Sequence, residues 1–355
     1  MNCRSALPLA LFTLLTGCEL SSPDEKLDQS LPDLGLEQIL PKAEANAYCT
    51  ADMDSELLFG LGRLLIDEDQ ENHGVLRTQF ASEEVQMARS CLAMAAPRYT
   101  RSLCSLAMVT AERPNVYAKS EAFNYIAYAA KRNEGCAQWA LYDIYNIRKL
   151  KQPPDKALAM AWLERSARHG ALEAQEEMLS QSKKQNKLAL AYAWARVLGD
   201  AENLEPLKQA MSPAQIAEGE QHYQQLLAQL PPQELRKKAD RKELIALHMA
   251  DVYMNHPQAF EGLSPLQRRQ FMANVVDALE PNPDFQKRRQ LYAYVLIARQ
   301  ANLTGPAVNL WQDPALHALL VNEKLGLEDT VARGLAILAK RNPDNAAAAG
   351  HSEAK

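Results

Sequence analysis

Residues 155–200 read DKALAMAWLERSARHGALEAQEEMLSQSKKQNKLALAYAWARVLGD and contain one six-residue pattern twice. The first copy, Ala157–Trp162, returns 32 residues later as Ala189–Trp194. Alanine lets two helices approach closely, and a Trp, Leu or Tyr three or four residues away fills the seam between hairpins. One such hairpin cannot bury its own apolar face, so neighbours must stack. The repeat predicts an all-α fold, an α/α solenoid (superhelix) of stacked helix-turn-helix repeats.

The first copy belongs to a longer pattern, with Gly170 placed as a left-handed residue that ends a helix. The pattern consists of Lys156-Ala157-Leu158, Ala161-Trp162-Leu163-Glu164-Arg165-Ser166-Ala167, His169-Gly170 and Glu173-Ala174-Gln175. It resembles the SEL-like repeat, a tetratricopeptide-like repeat found in bacterial lipoproteins. The resemblance is good over residues 155–178. It is weaker over residues 117–151 and 187–200. It aligns Tyr125-Ile126 with Trp162-Leu163 and Gly135 with Gly170.

The N-terminus predicts a lipid anchor. Arg4 is followed by an apolar run, residues 6–15, that is too short for a permanent membrane span. Leu15-Thr16-Gly17-Cys18 resembles the bacterial lipoprotein signal, which implies residues 1–17 as signal peptide and acylation of Cys18. Plain secretion is the alternative. By the same resemblance, Glu19 favours the outer membrane, with the protein facing the periplasm.

Composition and prolines predict the remaining organisation. The chain has 47% hydrophobic and 6% aromatic residues and a net charge of −5, which argues against a general nucleic-acid binder. Acidic residues and prolines in residues 18–41 predict a flexible tether. Pro231-Pro232 separates a repeat domain, 42–230, from a C-terminal helical region of degenerate repeats, 231–345. Small and polar residues predict a disordered tail over 346–355.

Four cysteines would remain in the mature fold besides Cys18, namely Cys49, Cys91, Cys104 and Cys136. An even number in an oxidising compartment predicts two disulfides, with three possible pairings. We favour Cys91–Cys104, because Pro97 breaks the chain between them, and Cys49–Cys136 follows by elimination. Cysteine-rich SEL-like proteins also tie one helix to the start of the next, which supports this choice by resemblance. The alternative is four buried thiols.

No catalytic motif is recognisable, so we expect a protein that is not an enzyme and needs no cofactor. Three residue sets nevertheless have a possible function. A weak metal set consists of His248, Asp251 and His256. A basic patch consists of Arg236, Lys237, Lys238, Arg241 and Lys242, echoed by Arg268-Arg269 and Lys287-Arg288-Arg289, and a solvated helix face is its simpler explanation. An aromatic set, favoured as packing between repeats over partner contact, consists of Trp139, Tyr142, Tyr145, Trp162, Tyr192 and Trp194.

These observations favour a non-enzymatic adaptor that binds periplasmic or envelope proteins and is held to the membrane by its N-terminal lipid. The resemblance implies a scaffold in exopolysaccharide export or in the docking of cell-wall enzymes. An alternative is an envelope polymer-binding or metal-dependent enzymatic domain in the half after Pro232, motivated by the metal set and the basic clusters. A purely structural envelope protein is a third possibility.

Overall fold

A computed structural model describes residues 22–73, 83–113, 115–305 and 309–341. Over these ranges the chain is all-helical and contains no β-strand, which confirms the predicted fold class. Successive helices pack on one another as an α-solenoid. The helices are α1 (Pro23–Gln29), α2 (Leu36–Ile39), α3 (Ser55–His73), α4 (Glu83–Ala95), α5 (Ser102–Ala111), α6 (Ala118–Lys131), α7 (Gly135–Ile147), α8 (Lys156–Arg168), α9 (Leu172–Lys184), α10 (Leu188–Leu198), α11 (Ala201–Ala210), α12 (Pro213–Gln229), α13 (Gln233–Asn255), α14 (Pro265–Leu279), α15 (Arg288–Gln300), α16 (Pro314–Leu320) and α17 (Leu327–Arg341).

The turns after α6 and α8 are built in the same way. In α6–α7, the Gln138 side chain donates to the carbonyl of Ala130 at 3.1 Å. In α8–α9, Gln175 donates to the carbonyl of Ala167 at 3.0 Å. The two glutamines therefore close equivalent helix ends whose carbonyls would otherwise lack a helical partner.

Left-handed residues end these helices, as expected for Gly170, whose φ is 90°. The alignment of Gly135 with Gly170 was wrong, because Asn133 takes the left-handed position with φ 63°. Asparagine tolerates this conformation better than most residues, since its short side chain can bond locally. Gly135 is instead the first residue of α7, and a Cβ there would lie 3.2 Å from the Cβ of Ala171.

The segment predicted as a tether is a packed structural element over its described part. We call residues 22–54 the N-terminal strap. Ser22 caps α1, and the apolar side chains of Leu27, Leu31 and Ile39 are buried. The prediction failed because the acidic residues are held in ion pairs with the repeats, as described next; residues 18–21 lie outside the described part of the chain.

The strap runs along the solenoid in reverse order of the helices. The carboxylate of Asp28 lies 2.7 Å from Arg165 and that of Asp24 lies 2.8 Å from Arg168, both on α8. Asp33 then pairs with Lys131 on α6 at 3.3 Å. Asn46 and Cys49 follow and contact α4, where the Asn46 amide donates to the Met87 carbonyl. The first strap residues therefore lie at the ends of α6 and α8 that carry Asn133 and Gly170, which we call the strap edge.

The prediction of two disulfides is supported by the structure, but the favoured pairing was wrong. Cys49 pairs with Cys91 across 5.5 Å between Cα atoms, and Cys104 pairs with Cys136 across 6.3 Å. Each bridge therefore joins elements that are not consecutive: strap to α4, and α5 to α7. Cys91 lies a full turn before the end of α4 and Cys104 in the first turn of α5, so the two face different neighbours.

The C-terminal half packs onto the beginning of the repeat array. Pro231-Pro232 separates α12 from α13, as predicted, but α13 crosses α3, and the buried apolar residues form one continuous core across the boundary. Residues 314–341 form two helices, α16 and α17.

The crossing of α3 and α13 requires Gly60. A Cβ at this position would collide with the backbone carbonyl of Ala246 and lie 2.7 Å from the Cβ of Ala250. Neither atom can move without displacing α13 as a whole. We therefore expect Gly60→Ala to lower the free energy of unfolding by about 1–3 kcal/mol, measured by urea denaturation.

Gly305→Ala provides the matched control, because nothing lies within 4 Å of the added methyl group. Its effect should stay within about 0.5 kcal/mol. Equal stability of the two variants would contradict the close approach of α3 and α13.

Candidate interaction surfaces

The aromatic set lies in the seams between helices. Trp162, Trp194 and Tyr192 are almost completely buried. Tyr142 and Tyr145 are also buried, and Trp139 is half-buried, with its ring 5.1 Å from that of Tyr142. This burial favours packing over partner contact for the whole set.

Two tyrosine hydroxyls in these seams bind carboxylates two helices further along the chain, from α7 to α9 and from α10 to α12. Tyr142 donates to Glu177 at 3.0 Å, and Tyr192 donates to Glu220 at 2.6 Å. Burial, followed by the Glu177 carboxylate, raises the pKa of Tyr142 to about 12. The Tyr142 hydroxyl therefore stays protonated at neutral pH and serves as a donor between helices.

The predicted basic patch does not form one free stripe. Arg241 makes two 2.7 Å hydrogen bonds with Asp277 of α14. Lys242 lies 3.2 Å from Glu56 of α3 and above the ring of Tyr99. Lys237 and Lys238 are exposed, whereas the side chain of Arg236 lies outside the described part of the structure.

The other basic clusters also hold helices together. Arg269 pairs with Glu56 at 3.0 Å, and Lys287 pairs with Glu323 at 2.6 Å. Arg289 donates to the carbonyls of Leu320 and Asn322 beyond α16. Such cations are already engaged, so an anionic polymer would have to break contacts within the fold to bind them.

A network of charged groups lies where α13 meets the repeat array. Buried Glu56 accepts from both Lys242 and Arg269, while Arg101 and Glu243 lie 2.6 Å apart. Burial raises the pKa of Glu56, but its backbone hydrogen bond and then Lys242 and Arg269 outweigh this, so the pKa is lowered overall. The pKa of Glu134 is instead raised, because the effect of burial is larger than the opposing effect of the positive charges on Arg101 and Lys242.

The three residues of the weak metal set each contact a neighbouring side chain. His248 Nε2 lies 3.0 Å from Glu280, and Asp251 accepts a 2.9 Å hydrogen bond from the Tyr292 hydroxyl. The ring of His256 packs edge-on against Tyr292 at 4.7 Å. The described residues contain no group of three His, Cys, Asp or Glu side chains that would hold a metal ion. These three residues link α13 to α14 and α15.

An open groove of about 690 Å³ lies where α10 and α12 end. Arg196 and Tyr223 are in its lining, with the guanidinium carbon 4.3 Å from the ring centre, and Arg196 also pairs with Glu220. Leu227 is exposed on α12, and Pro231 and Pro232 are also in the lining. The groove is lined by Arg196, Val197, Leu198, Gly199, Tyr223, Leu227, Ala228, Leu230, Pro231 and Pro232.

The sequence analysis missed this groove. Pro231-Pro232 was recognised as a boundary, but its proximity to Gly199 depends on how α10 and α12 pack. Gly219 sets that packing, because a Cβ there would lie 2.6 Å from the ring of Tyr192. A second hollow, of about 460 Å³, lies between α9 and α11 and includes Lys183 and Asp200.

Comparisons identify no relative. No protein-family model, curated protein or solved structure matches the chain. Among the described residues, no helix has both the length and the apolar content needed to span a bilayer.

Glu134 provides a test of the charged network. A carboxyl group with a raised pKa favours folding while it is protonated, and this contribution is lost as pH rises through the folded-state pKa. Glu134→Gln imitates the protonated form, so it should be more stable than the unmodified protein at about pH 8. The difference should shrink as pH falls toward about 4. Urea denaturation at several pH values measures it.

Glu112→Gln is the control, because Glu112 is exposed at the end of α5. It should show no comparable gain at high pH. A Glu134→Gln variant that loses stability at high pH would show that its attraction to Arg101 and Lys242 outweighs the cost of burial.

Proposed function

We propose that this protein is a non-enzymatic adaptor, anchored by lipid in the outer membrane and facing the periplasm, that holds a segment of an envelope protein. The groove at the ends of α10 and α12 carries the proposal. It is an open hollow on a solenoid, bordered by an exposed leucine and an Arg–Tyr pair. Leucine, tyrosine and arginine in a concave site suit an extended partner segment, since Tyr and Arg dominate binding hot spots.

Two features support an envelope location. Two disulfides fit an oxidising compartment, where such bridges persist. The residues before Cys18 resemble a lipoprotein signal, and the strap begins at Ser22, four residues later. Four residues span at most about 14 Å, so an anchor at Cys18 would hold the strap edge close to the membrane.

Two processes fit this adaptor equally well, namely exopolysaccharide export and the docking of cell-wall enzymes. The alternative of a polymer-binding or metal-dependent enzymatic domain in the C-terminal half has less support. His248 and Asp251 are engaged between helices, and most described cations of that half pair within the fold. A purely structural role would leave the groove without a use.

The anchor is tested by Cys18→Ser. Cells that express the unmodified protein and are fed radioactive palmitate should yield a labelled protein in the outer-membrane fraction. The Cys18→Ser variant should carry no label and should appear in the soluble periplasmic fraction, because it lacks the acylated thiol. Unlabelled wild-type protein would contradict the anchor while leaving the groove untouched.

The groove is tested by Leu227→Asp, which places a charge at its exposed apolar border. Crosslinking in cells should recover a specific envelope protein with the unmodified chain, and Leu227→Asp should reduce its recovery about tenfold or more. Leu266→Asp is the matched control, since Leu266 is an exposed leucine on α14. Equal recovery with both variants would remove the groove from the proposal.

A further inference from the structure

A second surface lies at the opposite ends of α6 and α8 from the strap edge. Val116, Tyr117 and Ile147 are 66%, 73% and 57% exposed, which is unusual for such side chains. Tyr117 directly precedes α6, and Ile147 is the last residue of α7. The Lys151 ammonium donates to the Val116 carbonyl at 3.0 Å, so the two loops are in contact. We call Val116, Tyr117 and residues 147–151 the edge patch.

The backbone of the edge patch is held in an unusual conformation. Arg148, Leu150 and Lys151 have φ values of 59°, 49° and 63°, in the left-handed region that side chains with a Cβ normally avoid. The loop is nevertheless fixed, because Leu150 packs against the core and the Lys149 N–H bonds to the Ile144 carbonyl at 3.1 Å. Conformations of this kind concentrate at sites that contact a ligand.

Cations surround the three apolar side chains, although the whole chain has a net charge of −5. The exposed cations are Lys119, Arg148, Lys149, Lys151 and Lys156. Four carboxylates lie nearby. Asp143 pairs with Lys149 at 2.8 Å, Asp155 caps α8 by accepting from the Leu158 N–H, and Glu112 lies exposed at the end of α5. Glu121, in the first turn of α6, is paired with Arg89 and Arg113. The surface therefore has an excess of positive charge.

We propose that the edge patch docks onto an anionic phospholipid surface. Exposed Val and Ile side chains enter the apolar boundary, while Tyr117 suits the interface, where aromatic rings with a polar tip are enriched. Lysine and arginine attract the phosphate groups of anionic lipids. An acidic peptide shares this charge preference, but peptides favour concave sites, and the two described grooves are lined by other residues.

This contact has a geometric consequence if the anchor at Cys18 also exists, a step that rests on the proposed function. The strap begins at one end of α8, and the edge patch lies at the opposite ends of α6 and α8. Contact of both ends with one bilayer places these helices parallel to its plane. The docking itself requires no anchor.

Vesicle co-sedimentation of the chain from residue 18 onward, with Cys18→Ser, tests the patch directly, because the apolar run at residues 6–15 is then absent. The protein should bind vesicles of phosphatidylglycerol and phosphatidylethanolamine but not vesicles of phosphatidylcholine. Binding should fall steeply as salt rises above about 0.1 M, where charges are screened within about 10 Å. Tyr117→Ser with Ile147→Ser should lower the partition coefficient about tenfold or more.

Arg148→Gly separates binding from folding. It removes one cation but gives the left-handed position to glycine, which adopts it without steric cost, so thermal stability should not fall. Binding to the anionic vesicles should drop about fivefold. Leu266→Ser, at an exposed leucine on α14, should leave binding unchanged.

Three results would overturn the proposal. The first is equal binding to both vesicle types. The second is unchanged vesicle binding by the Tyr117 and Ile147 double variant. The third is that the patch variants stop binding an acidic protein partner while they still bind vesicles. None of these results depends on acylation of Cys18 or on the groove at α12.

Discussion

Close contact between helix backbones at small residues is the constraint on which this structure depends. Glycines mark several crossings: Gly60 on α3 meets α13, Gly219 on α12 meets Tyr192, and Gly334 on α17 meets Ile297. Buried alanines also mark close contacts between helix backbones in α6, α8 and α10. Because the backbones nearly touch, the large aromatic side chains must fill the remaining seam, and few of them are left to contact a partner.

Charge in this protein is used mainly to join elements. Arg165, Arg241, Arg269 and Arg289 each bind a group on another helix or on the strap. The two parallel bonds from Arg241 to Asp277 fix geometry as well as charge. The candidate binding surfaces are therefore found where apolar groups remain exposed, at Leu227 in the groove beside α12 and at the edge patch, which also has exposed cations.

Local patterns in the sequence predicted local structure well. The left-handed Gly170 and the separation of helices at Pro231-Pro232 both depend on neighbouring residues. Disulfide pairing, strap docking and the α3–α13 crossing depend on residues far apart in the chain, whose proximity no local pattern contains. The acidic residues of 18–41 were therefore interpreted as a solvated linker, because their partners Arg165 and Arg168 lie far away in the chain.

The strap also constrains when the molecule can finish folding. Asp28 cannot form its ion pair before Arg165, 137 residues later in the chain, is present. Glu56 likewise needs Arg269, 213 residues later. Contacts between such distant residues form slowly, because a long loop must close first. As the chain emerges from its N-terminus, the strap consequently stays unpaired until α8 is present, so its acidic residues remain in contact with water up to that point.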